Sequence, residues 1–209
     1  MSLPPSSQRG IALLQVAIIM VIMSSLFALI SPLLKMTIKK NKHVDERMMM
    51  NEASRALIGY AFIHGGLPSP SAENTLPTSL LGLPTLGPYT KPFAYEVNAA
   101  LTETATGGDI SVFCQAVFTE SSNSSLPMTW HARDYTDTLN TTPVPFAILA
   151  RGENQQFDGQ NTPVGTDGDQ IYENSGTGWQ GTYDDSVVTH SFDQLCQRCD
   201  KLAIVCAGG

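Results

Sequence analysis

The sequence predicts an α+β fold, a long N-terminal helix laid on a small antiparallel sheet. Three observations predict it. Residues 11–64 read as one helix of about 50 residues. Short runs after residue 92 alternate or concentrate apolar side chains as strands do. A capped, amphipathic stretch lies near the C-terminus.

The helix comes first in the chain. Ile11 to Leu34 is a run of 24 residues without a charge. At 1.5 Å per residue it reaches roughly 36 Å, enough to cross a hydrocarbon core of about 30 Å. A secretory h-region is shorter, about 7–15 residues, and ends at a small-residue cleavage site. Here the C-terminal flank is instead lysine-rich, with Lys35, Lys39, Lys40 and Lys42. The basic, small-residue junction, Arg9-Gly10, precedes the apolar run, so cleavage there leaves the run on the mature chain. Beyond the run, Lys35 to His64 contains no proline and no glycine before Gly59. Ala53, Ala56, Leu57, Tyr60 and Ala61 recur at helical spacing and predict one apolar face. The stretch His64-Gly65-Gly66-Leu67-Pro68-Ser69-Pro70 then stops the helix.

The rest of the chain predicts the head. Residues 67–92, rich in Pro, Ser, Thr and Leu, read as a loop. Residues 93–97 alternate Phe93, Tyr95 and Val97, and residues 109–118 alternate Ile110, Val112, Cys114, Ala116 and Phe118; both are expected as strands. Residues 144–150 form a near-continuous apolar run, expected as a central strand. Residues 151–182 are rich in Gly, Asn, Gln, Thr and Asp and are expected to form a long irregular loop. A short strand is expected around Val187 and Val188. Ser191 and Gln194 fit a capping box, and Phe192, Leu195, Cys199, Leu202 and Cys206 follow as a helical stripe, although residues 202–206 also suit a strand.

Gly10, the apolar run from Ile11 and Pro32 together resemble the N-terminal segment of type IV prepilins and of the pseudopilins of type II secretion. The resemblance implies a leader, residues 1–10, removed after Gly10 by a prepilin peptidase, with the new N-terminus methylated at Ile11. It implies a pilin-like fold in which residues 11–34 serve as membrane anchor and then as fibre core. Residues 35–64 continue the helix, and residues 65–209 form a periplasmic head. Pro32 falls at the twenty-second mature position, where many family members carry a helix-kinking proline. The partners implied are prepilin peptidase, sister pilins or pseudopilins, the membrane and an inner-membrane assembly platform. Residues 56–70 are similar to a helix end found in prepilin-like proteins, with Ser69 where some relatives have Cys.

Two residues depart from the family pattern. Ile11 stands where Phe is commonest, and Gln15 stands where the family usually has Glu. That Glu is thought to neutralise a neighbouring subunit's N-terminal ammonium in apolar surroundings. An unpaired buried charge costs several kcal/mol, and Gln15 cannot supply the countercharge. One reading makes this chain a tip or initiator subunit, which has no earlier ammonium to meet. The other holds that Gln is tolerated here.

Charge divides the chain. Residues 1–64 hold seven Lys/Arg and three Asp/Glu, whereas residues 65–209 hold five and sixteen, within a net charge of -7. An acidic distal domain repels phosphates, so no nucleic-acid partner is expected. By the positive-inside rule, the lysines after the span would hold the distal domain in the cytoplasm. The leader resemblance implies the opposite orientation, and this reading follows the leader. Four cysteines in the distal part favour an oxidising compartment.

Cys114, Cys196, Cys199 and Cys206 allow three full pairings. The expected role is structural, with Cys114 on the apolar face of its segment as a partner for a tail cysteine. A redox Cys196-x-x-Cys199 pair, a four-cysteine zinc site and unpaired thiols are the alternatives. Asp158, Asn161, Asp167, Asp169 and Glu173 are hard oxygen ligands in a glycine-containing segment. They suit calcium, which some pseudopilins bind in C-terminal loops, or simply a solvated acidic loop. Otherwise no cofactor is expected. The histidines are scattered, no H-x-x-x-H or G-x-S-x-G pattern occurs, and no enzyme activity is expected. The expected function is that of a minor pilin or pseudopilin. The alternative is a single-pass anchored periplasmic protein whose redox or ligand-binding head does not polymerise.

Overall fold

The computed structural model describes residues 7–122, 131–134, 137–157, 171–173 and 185–202. The chain divides into two compact units, residues 1–42 and 43–209. One helix, α1 (Ser7–His64), forms the described part of the first unit and continues into the second. It is 58 residues long and runs through Pro32 without a break in its helical assignment.

In the first unit, residues 15–31 of α1 are exposed and carry no charge. Val16, Ile19, Met20, Val21, Phe27 and Leu29 are each more than half exposed. The hydroxyls of Ser24 and Ser25 donate back to the carbonyls of Met20 and Ile22, both at 2.8 Å, which satisfies them within the helix. The segment is long and apolar enough to cross a membrane, with a mean hydropathy of 2.4 in its richest window.

In the second unit, the amphipathic half of α1 is followed by a 3-10 turn (Ala72–Asn74), α2 (Thr78–Leu81), β1 (Ala94–Val97), a second 3-10 turn (Ala99–Leu101), α3 (Glu103–Thr106) and α4 (Ile110–Ser122). Next come β2 (His131–Asp134), β3 (Asp137–Pro143), β4 (Phe146–Ala150), β5 (Ile171–Glu173), β6 (Ser186–Thr189) and α5 (Phe192–Lys201). Strands β1, β4 and β6 make a fully antiparallel sheet with β4 in the centre. A second sheet has the order β3-β2-β5, with β2 antiparallel to β3 and parallel to β5.

The first sheet is buried on both faces, which is why β4 reads as an unbroken apolar run rather than an alternating one. Tyr95, Phe146 and Ile148 face a core that includes Met50, Ala53, Leu57, Ile58 and Ala61 of α1, Phe113 and Val117 of α4, and Leu195 of α5. Ala94, Ala147, Leu149 and Val187 form a smaller cluster with Val144 and Phe157. The expected central strand and the strand at Val187 and Val188 are both present.

Residues 109–118 correct the expected strand, because they form helix α4. Asp109 supplies the start signal: its Oδ1 accepts the backbone N–H of Ser111 at 2.8 Å, as an N-cap does, and the Ser111 donors hold its carboxyl below the usual range. Phe113, Cys114 and Val117 are buried and Ile110 packs beside them, a spacing of i, i+3, i+4 and i+7. The apparent two-residue alternation was a coincidence of apolar residues on a short helix. The loop at 67–92 contains the first 3-10 turn and α2, and Ile171–Glu173 is a strand within the expected irregular loop.

Candidate functional site

The residues singled out in the sequence fall into two sets. Gly10, Ile11, Gln15 and Pro32 all lie within α1, and Gln15 is exposed. Of the cysteines, Cys114 on α4 is bonded to Cys199 on α5 with a Cα separation of 5.8 Å. Cys196 is half-buried and packs against the main core. Cys206 lies outside the described residues, as do Asp158, Asn161, Asp167 and Asp169. No cluster of three metal-ligating side chains occurs among the described residues.

The disulfide sits where two helices meet. α5 begins with the expected capping box, Ser191 Oγ accepting from Gln194 N at 3.3 Å and Gln194 Oε1 from Ser191 N at 3.4 Å. Its stripe Phe192, Leu195 and Cys199 is buried, which brings Cys199 onto Cys114. The stripe ends there, since Leu202 at the C-cap is 51% exposed. The Cys-x-x-Cys pair is thus not closed on itself; Cys199 fastens α5 to α4.

His190, just before α5, lies 5.6 Å from the ring of Phe146, and its Nδ1 is 2.6 Å from Gln194 Oε1. Burial lowers its pKa below the ordinary 6.5, the hydrogen bond to Gln194 opposes this, and the nearby Arg198 charge adds to the lowering.

Two attachments of α1 within the second unit were not foreseen. Glu46 lies on the buried stripe, only 1% exposed, and accepts from Ser186 Oγ of β6 at 3.0 Å. His43 Nδ1 stands 3.8 Å from the same carboxylate. The signal available was position: Glu46 precedes Met50 by four residues and Ala53 by seven, a carboxylate in the apolar register. Tyr60, expected in the core face, is half-buried; its hydroxyl donates to Glu103 Oε2 at 2.6 Å, and this bond to a carboxylate pushes the phenol up to about 12. His64 stacks on the Tyr60 ring with centroids 4.0 Å apart.

The helix end is locked by glycines. Gly65 is left-handed, at φ 68°, and Gly66 N donates to Ala61 O at 3.1 Å, closing a Schellman turn. Thr106 Oγ1 donates to Gly65 O at 2.5 Å. A β-carbon on Gly65 would collide with the backbone of Gly108, and one on Gly66 would lie 2.5 Å from the Glu103 backbone.

One open concavity lies beside this end of α1. Gly59, Phe62, Arg198, Lys201 and Leu202 line a groove of about 250 Å3. Neither Arg198 nor Lys201 forms an ion pair among the described residues.

No protein-family model, curated protein or solved structure matches the chain. Its class is therefore the one its own elements define: an α+β protein with a long N-terminal helix, apolar enough to span a membrane, and a small three-stranded antiparallel sheet.

Proposed function

We propose that this chain is a minor pilin or pseudopilin, a non-enzymatic structural subunit of a type IV pilus or a type II secretion pseudopilus. In this reading a prepilin peptidase cuts after Gly10. Residues 11–34 anchor the chain in the inner membrane, with residues 65–209 in the periplasm, and later pack against sister helices. The observation that carries the reading is α1 itself. It is a single helix, Ser7–His64, that begins beside Arg9-Gly10, exposes an uncharged run and presents a buried stripe in its second half. A plain membrane anchor needs no such continuation. The disulfide between Cys114 and Cys199 suits an oxidising compartment. Gln15 supports a tip or initiator position, because the first subunit of a fibre has no earlier ammonium to neutralise and so does not need the carboxylate.

The test is the mature N-terminus, read by intact mass and terminal-peptide mass spectrometry on protein from its native membrane. The expected chain begins at Ile11 and carries one extra methyl. A chain that retains residues 1–10, or is cut after the apolar run, overturns the proposal.

The Cys196-x-x-Cys199 spacing favours a second reading, an anchored periplasmic protein with a redox head that does not polymerise. Such a head needs Cys199 to leave Cys114. Disulfide mapping and fractionation separate the two readings. A pilin keeps the linkage oxidised and co-purifies with sheared fibres or their assembly platform, whereas a redox protein cycles and stays in the membrane fraction.

A further inference from the structure

The lysine-rich stretch that follows the apolar run forms a face. Lys35, Lys39, Lys40 and Lys42 are four of the chain's twelve Lys/Arg, placed within eight residues. α1 is helical throughout this stretch, and residues 34–45 are exposed. Lys35, Lys39 and Lys42 stand at i, i+4 and i+7, so three of the four share one side of the helix. A signal that only sets membrane orientation counts charges and needs no common side. The first acidic residue of the chain is Asp45, so Lys35 and Lys40 have no carboxylate three or four residues away along the helix.

Depth is the second, independent feature. At 1.5 Å of rise per residue, Lys35 lies about 1.5 Å and Lys42 about 12 Å beyond Leu34, the last residue of the uncharged run. The headgroup layer on each side of a hydrocarbon core is roughly 5–8 Å thick, and a lysine stem reaches several ångströms toward it. All four ammonium groups therefore reach that layer when residues 11–34 fill the core. Met36 and Ile38, 74% and 55% exposed, are interleaved with the lysines, as suits a zone bounded on one side by acyl chains.

We propose that Lys35, Lys39 and Lys42, with Lys40 beside them, form a binding surface for the headgroups of anionic phospholipids. Charge and depth select this occupant together. A soluble acidic partner meets the charge but not the depth, and a zwitterionic headgroup meets the depth but not the charge. A lysine ammonium is a compact point charge without a fixed fork of donors, so the surface selects net negative charge rather than one headgroup structure. The inference rests on the proposed function only in taking residues 11–34 as the segment that lies in a bilayer. It requires neither cleavage after Gly10 nor assembly with sister chains.

The experiment reconstitutes the full-length chain in phosphatidylcholine bilayers. Electron paramagnetic resonance then compares how spin-labelled phosphatidylglycerol and spin-labelled phosphatidylcholine associate with it. The expected preference for phosphatidylglycerol is at least about threefold at low salt, and it falls by at least about half when salt is raised to about 0.5 M. Lys35→Gln/Lys39→Gln/Lys40→Gln/Lys42→Gln lowers the preference by at least about half, whereas arginine at the same four positions keeps it. Lys91→Gln/Arg151→Gln/Arg198→Gln/Lys201→Gln removes the same charge from the distal domain and leaves the preference unchanged. Retention of the Cys114–Cys199 linkage reports that the variants are folded. Equal association of the two lipids, a preference that salt does not weaken, or a preference lost equally in the distal-domain variant would each overturn the proposal. A native chain found to start at Ile11 but showing no preference sinks this inference and leaves the fibre reading standing. A preference in a chain that keeps residues 1–10 does the reverse.

Discussion

Cys114 and Cys199 bond α4 to α5 across a sequence separation of 85 residues. The loop so closed contains β1's partners β4 and β6 and all of the second sheet. Chain-entropy arguments make such a long closure strongly stabilising, and removal of a native disulfide of this kind costs about 2–5 kcal/mol. Cys199→Ala is therefore expected to lower the unfolding free energy of the distal domain, read from urea denaturation, by that amount. Reductant should reproduce the loss in the wild type and add little in the variant.

The two left-handed glycines Gly65 and Gly82 separate backbone strain from collision. Both have φ near 67°. A β-carbon at Gly82 meets nothing within 4 Å among the described residues, whereas one at Gly65 strikes the backbone of Gly108. Gly82→Ala should cost about 1 kcal/mol for the left-handed conformation alone. Gly65→Ala should cost at least about 1–3 kcal/mol more, because the facing atoms are backbone and cannot swing aside. Thermal unfolding of the two variants checks the difference.

Ser54 and Ser186 give opposite expectations for the same substitution. Ser54 Oγ on α1 is buried with no hydrogen-bond partner among the described residues. Ser54→Ala removes an orphan hydroxyl and improves helix propensity, so it should stabilise by about 1 kcal/mol. Ser186 Oγ donates to the buried Glu46 carboxylate. Ser186→Ala takes a donor from a charge and should destabilise by about 1.5–3 kcal/mol. Chemical denaturation of both variants reads the contrast.

His190 makes the head sensitive to acid. Its folded pKa is lowered, chiefly by burial, so the unfolded chain binds the proton more readily. Its contribution to stability is present above the unfolded value near 6.5. That contribution is lost as pH falls from there to the lowered folded value. Unfolding midpoints measured from pH 7.5 downward should decline through this window, and His190→Gln should flatten the part of the decline that His190 supplies.

Much of the fold was legible because it is written in local periodicity. The apolar run of Ile11–Leu34, the stripe through Ala53, Leu57 and Ala61, the dense strand at Phe146–Ala150 and the Ser191–Gln194 cap each depend on neighbours within a few residues. The candidate site was legible only in part. Cys114 was correctly marked as a partner for the tail, but on the wrong element. A short segment rich in apolar residues satisfies the two-residue and the 3.6-residue period at once, and the Asp109 cap was the deciding signal.

What the sequence determined by itself is the membrane-length helix, its stop at Gly65-Gly66, and the unequal charge of the two halves, since all three follow from composition along a single stretch of chain. The tertiary structure alone decided which cysteine meets Cys114, that the Glu46 carboxylate is buried against Ser186, and that Gly59 faces Arg198 and Lys201 across a groove. Those relationships join residues 85 to 142 positions apart. No local propensity encodes such a pairing; it exists only once α1, α4, α5 and the sheet have buried their apolar faces together.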